Sequence, residues 1–384
     1  MPVFYEKGKK YNCRVKGIPY FRTSVTINGK SRQVYGDGEK DAKRRVQEIK
    51  DAVSQGFDPD RRNDVMRDVF DHWLYDIKRV NKNVKASSFE KYEGIYRNHI
   101  RPYDIVLKKL ASLSSADMQA YVTWLYEEGK ASGPTIKDVV KLFKMFLSWA
   151  IDEGYLVKNP CRNLSLPGEY KKTKDKIEVF SPEERAKILN YISENKYQYA
   201  TLIRLAFATG MRQGELLALK WSDIENGVIH VQRSTSSVTH INGNKERIRT
   251  REVWEPKTAN AVRDIPLLPQ TADMLRLYQA AQKTYFRVNH LGSPTFVFTT
   301  STGQIIDANS LIKSYKGLLQ RAGVPYRKFH AIRHTFATEA IRHGVDVKDL
   351  QMLMGHSDLE TTYIYVQSDR DSKRRAIEMM GSMM

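Results

Sequence analysis

Apolar residues recur with the period of an α-helix through most of this chain, and with the alternation of a β-strand near its beginning. The helical pattern repeats four times between residues 61 and 166. In the fourth repeat, over residues 135–151, it places one apolar stripe on a single helix face. That stripe consists of Val139, Leu142, Phe143, Phe146, Leu147 and Ala150. Residues 61–166 are therefore predicted to form an all-helical domain.

Serines mark the expected starts of two of these helices, because a serine side chain can accept from the first free backbone N–H groups. Ser87 and Ser88 are predicted to cap the second helix, and Ser114 or Ser115 the third.

The first residues follow a different pattern. Side chains alternate over residues 20–27, Asn28-Gly29 is a strong signal for a type I′ turn, and residues 31–35 return as a strand. A third strand over residues 11–15 and a helix over residues 40–53 complete a small α+β module, residues 1–58. A generic α+β domain with a solvated basic face is the alternative to a DNA-binding module here.

The remainder of the chain mixes strands and helices. A charged linker, residues 167–177, leads into a mixed α/β domain over residues 175–384, whose first helix starts at Ser181-Pro182. Strands are predicted over residues 228–233 and 252–255. The connection between them, residues 234–250, is long, and its Asn-Gly pair predicts an extra β-hairpin.

Composition narrows the possible partners. The 384 residues carry a formal net charge of +19, with the basic side chains spread along the chain. This excess suits a polyanion such as double-stranded DNA, since each neutralised phosphate releases a counterion, although charge alone also fits RNA or anionic lipid. Sequence hydropathy predicts no membrane partner. Two cysteines, Cys13 and Cys161, are too few for a disulfide framework and fit a reducing cytoplasm.

The last quarter of the chain concentrates groups suited to a phosphodiester. His330 and Arg333 lie one turn apart on a predicted helix, His356 follows in a Gly-His-Ser turn, and Tyr365 comes next. A guanidinium matches phosphate oxygens, an imidazole donates a hydrogen bond or moves a proton, and a phenol oxygen can act as a nucleophile.

Further cationic groups lie upstream. Arg212 follows Thr-Gly-Met between two predicted helices, with Glu215 three residues later. Lys257 follows the strand over residues 252–255. Taken singly, each has a structural explanation: an HxxR pair is usually a solvated face, and a hairpin lysine is usually exposed. The spacing of His330 and His334 resembles a zinc pair, but no third ligand cluster accompanies it, so no metal is expected.

In combination, the motifs T-G-M-R-x-G-E-L, P-K-T…R-D-I-P-L, H-x-x-R-H-T-F-A-T and L-M-G-H-S…T-T-x-x-Y closely resemble the tyrosine recombinases, the integrase family of phages and integrative elements. The resemblance is strong over residues 175–366 and looser over residues 61–166. It implies catalytic roles for Arg212, Lys257, His330, Arg333, His356 and the nucleophile Tyr365, with Glu215 in support. Tyr363 falls where the family varies and is interpreted as packing or DNA contact.

The resemblance also implies a fold and a mechanism. Residues 1–58 would be an arm-type DNA-binding domain, residues 61–166 a SAM-like core-binding domain, and residues 175–384 the catalytic domain. The two arginines would hold the scissile phosphate, His330 would take the phenol proton, and Lys257 would protonate the leaving 5′ oxygen. Strand exchange through a 3′-phosphotyrosine needs no cofactor, because the link keeps the phosphodiester energy. Candidate DNA contacts outside the catalytic set are Arg22, Lys30, Arg32, Lys137, Arg247 and Arg249.

Three functions follow. The leading one is a site-specific integrase that integrates and excises a mobile element as a homotetramer on two duplexes, with core and arm sites, an excisionase and a host DNA-bending protein as partners. Such an enzyme would be cytoplasmic and nucleoid-associated. The N-terminal module, residues 1–58, favours the transposon-type integrases. The alternatives are a type IB topoisomerase-like nicking-closing enzyme and a non-catalytic DNA-binding relative. The tail, residues 367–384, is interpreted either as a frayed end or as a segment that packs on a neighbouring subunit.

Overall fold

The computed structural model describes residues 3–166, 177–254 and 262–368. The chain divides into two compact units: Met1–Lys171 with His240–Arg247, and Lys172–Thr239 with Ile248–Met384. Within the described ranges, no helix has the length and apolar character needed to cross a membrane. Lys257, most of the predicted linker and nearly all of the predicted tail lie outside the described residues.

The first unit opens with a small antiparallel sheet and one helix packed on it. Asn28 and Gly29 have φ angles of 50° and 74°, as the predicted type I′ turn requires. The predicted three strands and helix are confirmed, and a separate two-stranded sheet precedes them. The elements are β1 (Phe4–Glu6), β2 (Lys9–Tyr11), β3 (Cys13–Val15), β4 (Ile18–Ile27), β5 (Lys30–Gly36) and α1 (Glu39–Ser54). The sheet buries Val25, Ile27 and Val34 against Val46, Ile49 and Val53 of α1.

The rest of the first unit is helical, as predicted. Its core stacks aromatic rings, with the centroid of Phe70 lying 4.1 Å from that of Phe146 and 4.5 Å from that of Tyr96. The helices are α2 (Met66–Asp71), α3 (Ala86–His99), α4 (Ser115–Glu127) and α5 (Gly133–Asp152). A π-helical segment, His72–Lys78, continues α2, and its wider turn ends with the N–H of Arg79 donating to the carbonyl of Leu74.

One of the two predicted caps is wrong. Ser114 caps α4, and its side chain and that of Asp117 exchange hydrogen bonds with each other's backbone N–H. Ser87 and Ser88, in contrast, lie inside the first turn of α3, whose N-cap is Lys85. The Lys85 carbonyl already accepts from the N–H of Ser88 at 2.9 Å, so the helix starts before the serines can cap it.

The second unit surrounds a three-stranded antiparallel sheet with helices. Ser181 caps its first helix and Pro182 occupies the first helical position, as predicted. The elements are α6 (Pro182–Glu194), α7 (Ala200–Thr209), α8 (Gln213–Ala218), β6 (Ile224–Glu225), β7 (Val228–Val231), β8 (Ser234–Ile241), β9 (Arg247–Trp254), β10 (Arg263–Pro266), α9 (Pro269–Val288), α10 (Ala308–Arg321), α11 (His330–Arg342), α12 (Val347–Met354) and α13 (Glu360–Ser368). The sheet order is β10-β7-β6. The predicted strand over residues 228–233 is shorter, because β7 ends at Val231.

The predicted extra hairpin is present, since β8 pairs with β9. Its turn end, His240–Arg247, groups with the first unit. Ile241 is buried in the helical core of that unit, and Arg247 donates to the carboxylate of Glu93. The ammonium of Lys245 lies 3.1 Å from a carboxylate oxygen of Asp71. The end of the insertion is therefore a packed part of the first unit.

Candidate active site

Three arginine side chains converge on the C-terminal end of α12. The last carbonyls of a helix lack intrahelical partners, and the helix dipole favours cations at this end. The carbonyl oxygens of residues 353–355 each accept one guanidinium hydrogen bond, and the donors, in that order, are Arg263, Arg333 and Arg212. Gly355 ends the helix in the left-handed conformation, with φ of 63°. The Leu-Met-Gly of the sequence motif thus provides the acceptors that hold the arginines.

Arg212 is positioned from its own helix as well. It is the N-cap of α8, and both its backbone N–H and its Nη1 donate to the carboxylate of Glu215, each at 2.8 Å. About a third of the side chain, 35%, remains exposed. The carboxylate that the sequence predicted to orient Arg212 is thus bonded to it, and these contacts leave the guanidinium accessible to a ligand.

Arg263 was not among the predicted site residues, although it belongs to the quoted R-D-I-P-L motif. It lies on a strand where alternate residues are buried, and its guanidinium donates to both carboxylate oxygens of Glu215, at 3.1 and 2.8 Å. Burial alone would raise the pKa of Glu215, but the hydrogen bonds and charge of Arg263, with the charge of Arg212, outweigh it and lower the pKa to about 2. An arginine at an inward position of a strand was the signal that could have found it.

Arg333 is almost fully buried, with 2% of its surface exposed. Its Nη1 donates to the carbonyl oxygen of Gly210, the residue that ends α7, at 2.8 Å. Burial and the neighbouring charge of Arg212 lower the pKa of Arg333 to about 9, which leaves it charged at neutral pH. Two cationic guanidiniums therefore lie side by side with no described carboxylate other than that of Glu215 bonded to either.

His356 follows α12 directly and is buried. Its Nδ1 lies 2.9 Å from the hydroxyl oxygen of Thr362. Burial, followed by the charges of Arg333 and Arg212, lowers the pKa of His356 to about 3. The imidazole is thus neutral at pH 7, and the hydroxyl of Thr362 occupies its Nδ1 side.

Tyr365 lies within the same cluster. Its side chain is 1% exposed, and its ring is nearly parallel to that of His356, with centroids 6.3 Å apart. The phenol oxygen lies 2.8 Å from Nδ1 of His334. Burial raises the pKa of the phenol, whereas the charges of Arg333 and Arg212 lower it, and the net shift is upward.

His330 occupies the first turn of α11 and is exposed. Its ring lies edge-to-face with that of His334, with centroids 4.6 Å apart. Burial of part of the ring and the charge of Arg333 lower its pKa. Tyr363 is 45% exposed. His334, which the sequence offered only as a zinc candidate, is a second residue, after Arg263, that sequence reasoning missed.

Five of the six predicted catalytic residues therefore share one site: Arg212, His330, Arg333, His356 and Tyr365. Lys257 lies outside the described residues. Within the described ranges, no group of three or more His, Cys, Asp and Glu side chains is arranged to hold a metal ion. The site contains two guanidinium groups, neutral imidazoles and a phenol. The guanidinium groups suit a bound phosphate anion, and the phenol oxygen can act as a nucleophile.

The predicted DNA contacts of the N-terminal sheet separate onto two faces. Arg32 is the cross-strand partner of Val25, whose side chain faces α1, and Lys30 shares that face. Both bond to the carboxylate of Asp60, Lys30 at 3.0 Å. Arg22 lies on the opposite face and is half-buried.

The other predicted contacts have varied surroundings. Lys137 lies exposed on α5, next to Asp138, whose carboxylate accepts from Lys91 at 2.8 Å. On β9, Arg247 is engaged by Glu93, whereas Arg249 is exposed.

Comparison with protein families gives two matches. Residues 178–372 match the model of the phage integrase family, and residues 65–126 match the SAM-like N-terminal domain of phage integrases. A tyrosine recombinase XerC-like protein of Caldanaerobacter subterraneus subsp. tengcongensis is 37% identical across 98% of this chain and 99% of its own. The ICEBs1 integrase of Bacillus subtilis is 25% identical across 72% of this chain and 73% of its own.

Two solved structures share the fold. The Tn1549 transposon integrase in complex with a circular intermediate DNA superposes with a TM-score of 0.66, at 22% identity, over 81% of this chain and 99% of that one. A lambda integrase dimer bound to a COC′ core site superposes with a TM-score of 0.56, at 15% identity, over 97% of this chain and 95% of that one.

Proposed function

Because the chain belongs to the phage integrase family and is a site-specific tyrosine recombinase, we propose which of its residues catalyse DNA cleavage and rejoining. Tyr365 is the nucleophile. The groups that act on the phosphate and on the leaving oxygen are Arg212, Lys257, His330, Arg333 and His356. The observation that supports this assignment is the burial of the Tyr365 phenol in one site with both guanidiniums and the imidazole of His356.

The chemistry follows from the contacts. Arg212 and Arg333 are held by carbonyl oxygens, so their remaining N–H groups bind the two non-bridging oxygens of the scissile phosphate. His356, neutral and fixed by Thr362, donates a further hydrogen bond to the negative charge that develops in the transition state. His330 contacts the same phosphate from the first turn of α11.

Attack by the phenol oxygen forms the O–P bond as the bond to the 5′ oxygen breaks. Lys257 supplies a proton to that leaving oxygen. The products are a 3′-phosphotyrosine and a free 5′-hydroxyl. Rejoining to a partner strand completes recombination, and the energy kept in the covalent link makes a cofactor unnecessary.

The substrate is double-stranded DNA that carries the ends of a mobile genetic element, which the enzyme integrates and excises. Relatives and structural neighbours named as the ICEBs1 integrase and the Tn1549 transposon integrase support an element of the conjugative-transposon type. The enzyme acts as a homotetramer on two duplexes, with an excisionase and a host DNA-bending protein as partners. It works in the cytoplasm, on the nucleoid.

Three domains divide this work. Residues 1–58 bind arm sites, residues 61–166 bind the core site, and residues 175–384 carry the chemistry, with the tail over residues 367–384 placed on a neighbouring subunit. The relative named XerC-like aligns over 98% of the chain. A counterpart of the N-terminal module therefore also occurs in a protein that is not named as an integrase. The insertion over residues 234–250 contacts DNA through Arg249, and Arg249→Ala is expected to reduce cleavage. Deletion of residues 236–248 would also remove Ile241 and Arg247, which pack in the first unit.

Covalent trapping tests the assignment. Duplexes spanning the ends of the element that encodes this chain are given a sulfur in place of the bridging 5′ oxygen at candidate scissile positions, and are incubated with the protein without metal or ATP. Mass spectrometry then locates the DNA-linked peptide. A link on Tyr365 that is lost in Tyr365→Phe and kept in Tyr363→Phe is the expected result, and a link on Tyr363 would contradict it.

The same reagents separate the alternatives. A topoisomerase-like enzyme would relax supercoiled DNA that carries a single site, whereas recombination requires two. A non-catalytic relative would bind these duplexes yet form no adduct, and its Tyr365→Phe variant would keep full biological activity.

A further inference from the structure

His334 contacts the oxygen that is proposed to attack the phosphate. Its Nδ1 lies 2.8 Å from the phenol oxygen of Tyr365, and the two ring centroids are 5.6 Å apart at an angle of 50°. The phenol is almost fully excluded from solvent, with 1% of Tyr365 exposed. Water therefore has little access to the phenol proton in this arrangement, and a protein group has to accept it.

We propose that His334 takes the proton of the Tyr365 phenol as that oxygen attacks the scissile phosphate. The inference rests on the proposed role of Tyr365 as the nucleophile. It assigns to His334 the proton transfer that the sequence predicted for His330, and it leaves His330 in contact with the phosphate.

The step balances. The O–H bond of the phenol breaks and its proton moves to Nδ1 of His334, which requires the tautomer with hydrogen on Nε2. The phenol oxygen forms its bond to phosphorus, the bond to the 5′ oxygen breaks, and Lys257 protonates that oxygen. When the 5′-hydroxyl attacks in the rejoining step, its proton returns to Lys257 and the O–P bond to Tyr365 breaks. The imidazolium of His334 then returns its proton to the phenol oxygen.

The surroundings of His334 keep it neutral and ready to accept. Burial and the neighbouring His330 and Arg333 lower its pKa to about 4. Three helices pack on α11. Of these, α13 presents Tyr365 to His334, and the two charged residues of α12, Lys348 and Asp349, are exposed. The charged residue of α7, Arg204, donates to Ser193. A phosphate anion bound at Arg333 offsets the charge of this guanidinium, but burial and His330 still lower the pKa of His334. His334 therefore remains neutral at pH 7 when DNA is bound.

The test measures the rate of covalent adduct formation against pH, using the full chain and the duplex with a bridging 5′ sulfur. The thiolate leaves without an acid, so the profile reports on proton removal from the phenol rather than on Lys257. In His334→Asn the amide retains a hydrogen-bonding group near the position of Nδ1 but cannot take a proton. Loss of a general base costs about 10²–10⁴-fold in rate.

For the unaltered protein, the rate is expected to change little between about pH 6 and pH 9, because His334, whose pKa is lowered to about 4, is already neutral over this range. For His334→Asn, the rate at pH 7 is expected to fall by at least about a hundredfold and to rise about tenfold per pH unit toward the pKa of the phenol. For His330→Asn, the rate is expected to fall by the same factor at every pH, because the loss of a phosphate contact does not depend on proton removal.

Two controls keep the outcomes distinct. His343→Asn alters an exposed histidine just beyond the same helix, whose Nδ1 lies 2.8 Å from the carbonyl oxygen of Glu339, and should leave the profile unchanged. Equal binding of the duplex by all variants in a gel-shift assay shows that each is folded.

If the unaltered protein forms the adduct on Tyr365 and the pH–rate profile of His334→Asn keeps the shape of the unaltered one, the role of His334 is overturned while Tyr365 remains the nucleophile. The role of His334 is also overturned if the pH–rate profile changes shape in His330→Asn and not in His334→Asn. If the unaltered protein links DNA through another residue, the proposed nucleophile fails first.

Discussion

Thr362 is the buried partner that fixes the imidazole of His356. The threonine is fully buried, and its hydroxyl oxygen lies 2.9 Å from Nδ1. If the hydroxyl donates to Nδ1, the hydrogen of the neutral ring stands on Nε2, where it is available to a phosphate oxygen. One hydroxyl thus decides whether His356 can act as a donor.

Thr362→Val removes this hydroxyl and keeps the shape of the side chain, so we expect the rate of covalent adduct formation to fall about tenfold, as expected for the loss of one oriented hydrogen bond of about 1 kcal/mol or more. Thr362→Ser should restore most of the rate. Thr361→Val changes the exposed neighbour and serves as the matched control. Equal rates in Thr361→Val and Thr362→Val would contradict this role.

Glu215 couples the stability of the second unit to pH. Its carboxylate is buried with Arg263, and its pKa in the folded protein, about 2, lies below the ordinary value of about 4.3. A lowered folded-state pKa contributes stability that is complete above pH 5 and is lost as the pH falls through about 2.

Glu215→Gln leaves Arg263 buried without its counterion, so we expect the free energy of unfolding at pH 7 to fall by about 3–5 kcal/mol. The difference from the unaltered protein should shrink between about pH 4 and pH 2, as the carboxylate of the latter becomes protonated. Urea unfolding at pH 7, 5 and 3 measures it. Glu225→Gln, at an exposed glutamate in β6, should change little, and a pH-independent difference for Glu215→Gln would count against the coupling.

The C-terminal end of α12 organises the site as an element, because its carbonyl oxygens over residues 353–355 receive three guanidiniums. Gly355 ends the helix at φ of 63°, a conformation that costs most other residues about 1–2 kcal/mol. Any residue with a side chain here shifts the carbonyl that holds Arg212.

Gly355→Ala is therefore expected to lower both stability, by about 1–2 kcal/mol, and the rate of adduct formation, by roughly tenfold to a hundredfold, since a small displacement of a positioning group is costly. Gly344→Ala is the matched control: Gly344 has φ of 81° and open space around it, but its carbonyl holds no described arginine. Both variants should lose similar stability in urea unfolding. A slowed reaction in both would show that strain, and not the carbonyl, is responsible.

At the level of the whole chain, a segment distant in sequence completes the first unit. The carboxylate of Glu93 is 4% exposed and bonds to Arg247 from the hairpin end, as well as to Arg97 from its own helix at 3.2 Å. The hairpin end therefore contributes to the stability of the first unit, in addition to any role it has on DNA.

Arg247→Ala is expected to lower the free energy of unfolding by about 1–3 kcal/mol, because it leaves a buried carboxylate short of a partner. Arg249→Ala, two residues away and exposed, should change it by less than about 0.5 kcal/mol, while lowering DNA affinity if the insertion touches DNA. Urea unfolding and gel-shift titration of both variants measure the two effects. Equal stability of the two variants would contradict the structural role of Arg247.

Most of the helices and strands, and the chemical groups of the site, follow from local sequence patterns. Helical stripes such as that of residues 135–151, the Asn28-Gly29 turn and the Ser114 cap depend on neighbours within a few positions, and local rules therefore predict them. The motifs around Arg212, Arg333 and His356 identified the family for the same reason, since each is a short run of specific residue types.

Which side chains meet depends on how the elements pack against one another. Arg263 of β10 and Glu215 of α8 are far apart along the chain, as are His334 of α11 and Tyr365 of α13, and each pair meets only in the folded chain. The faces of Arg22 and Arg32, and the grouping of Arg247 with Glu93, likewise follow from strand register and from long-range burial. Periodicity places a residue on a face of its own element, but the partner of that face is set by the free energy of packing the whole chain.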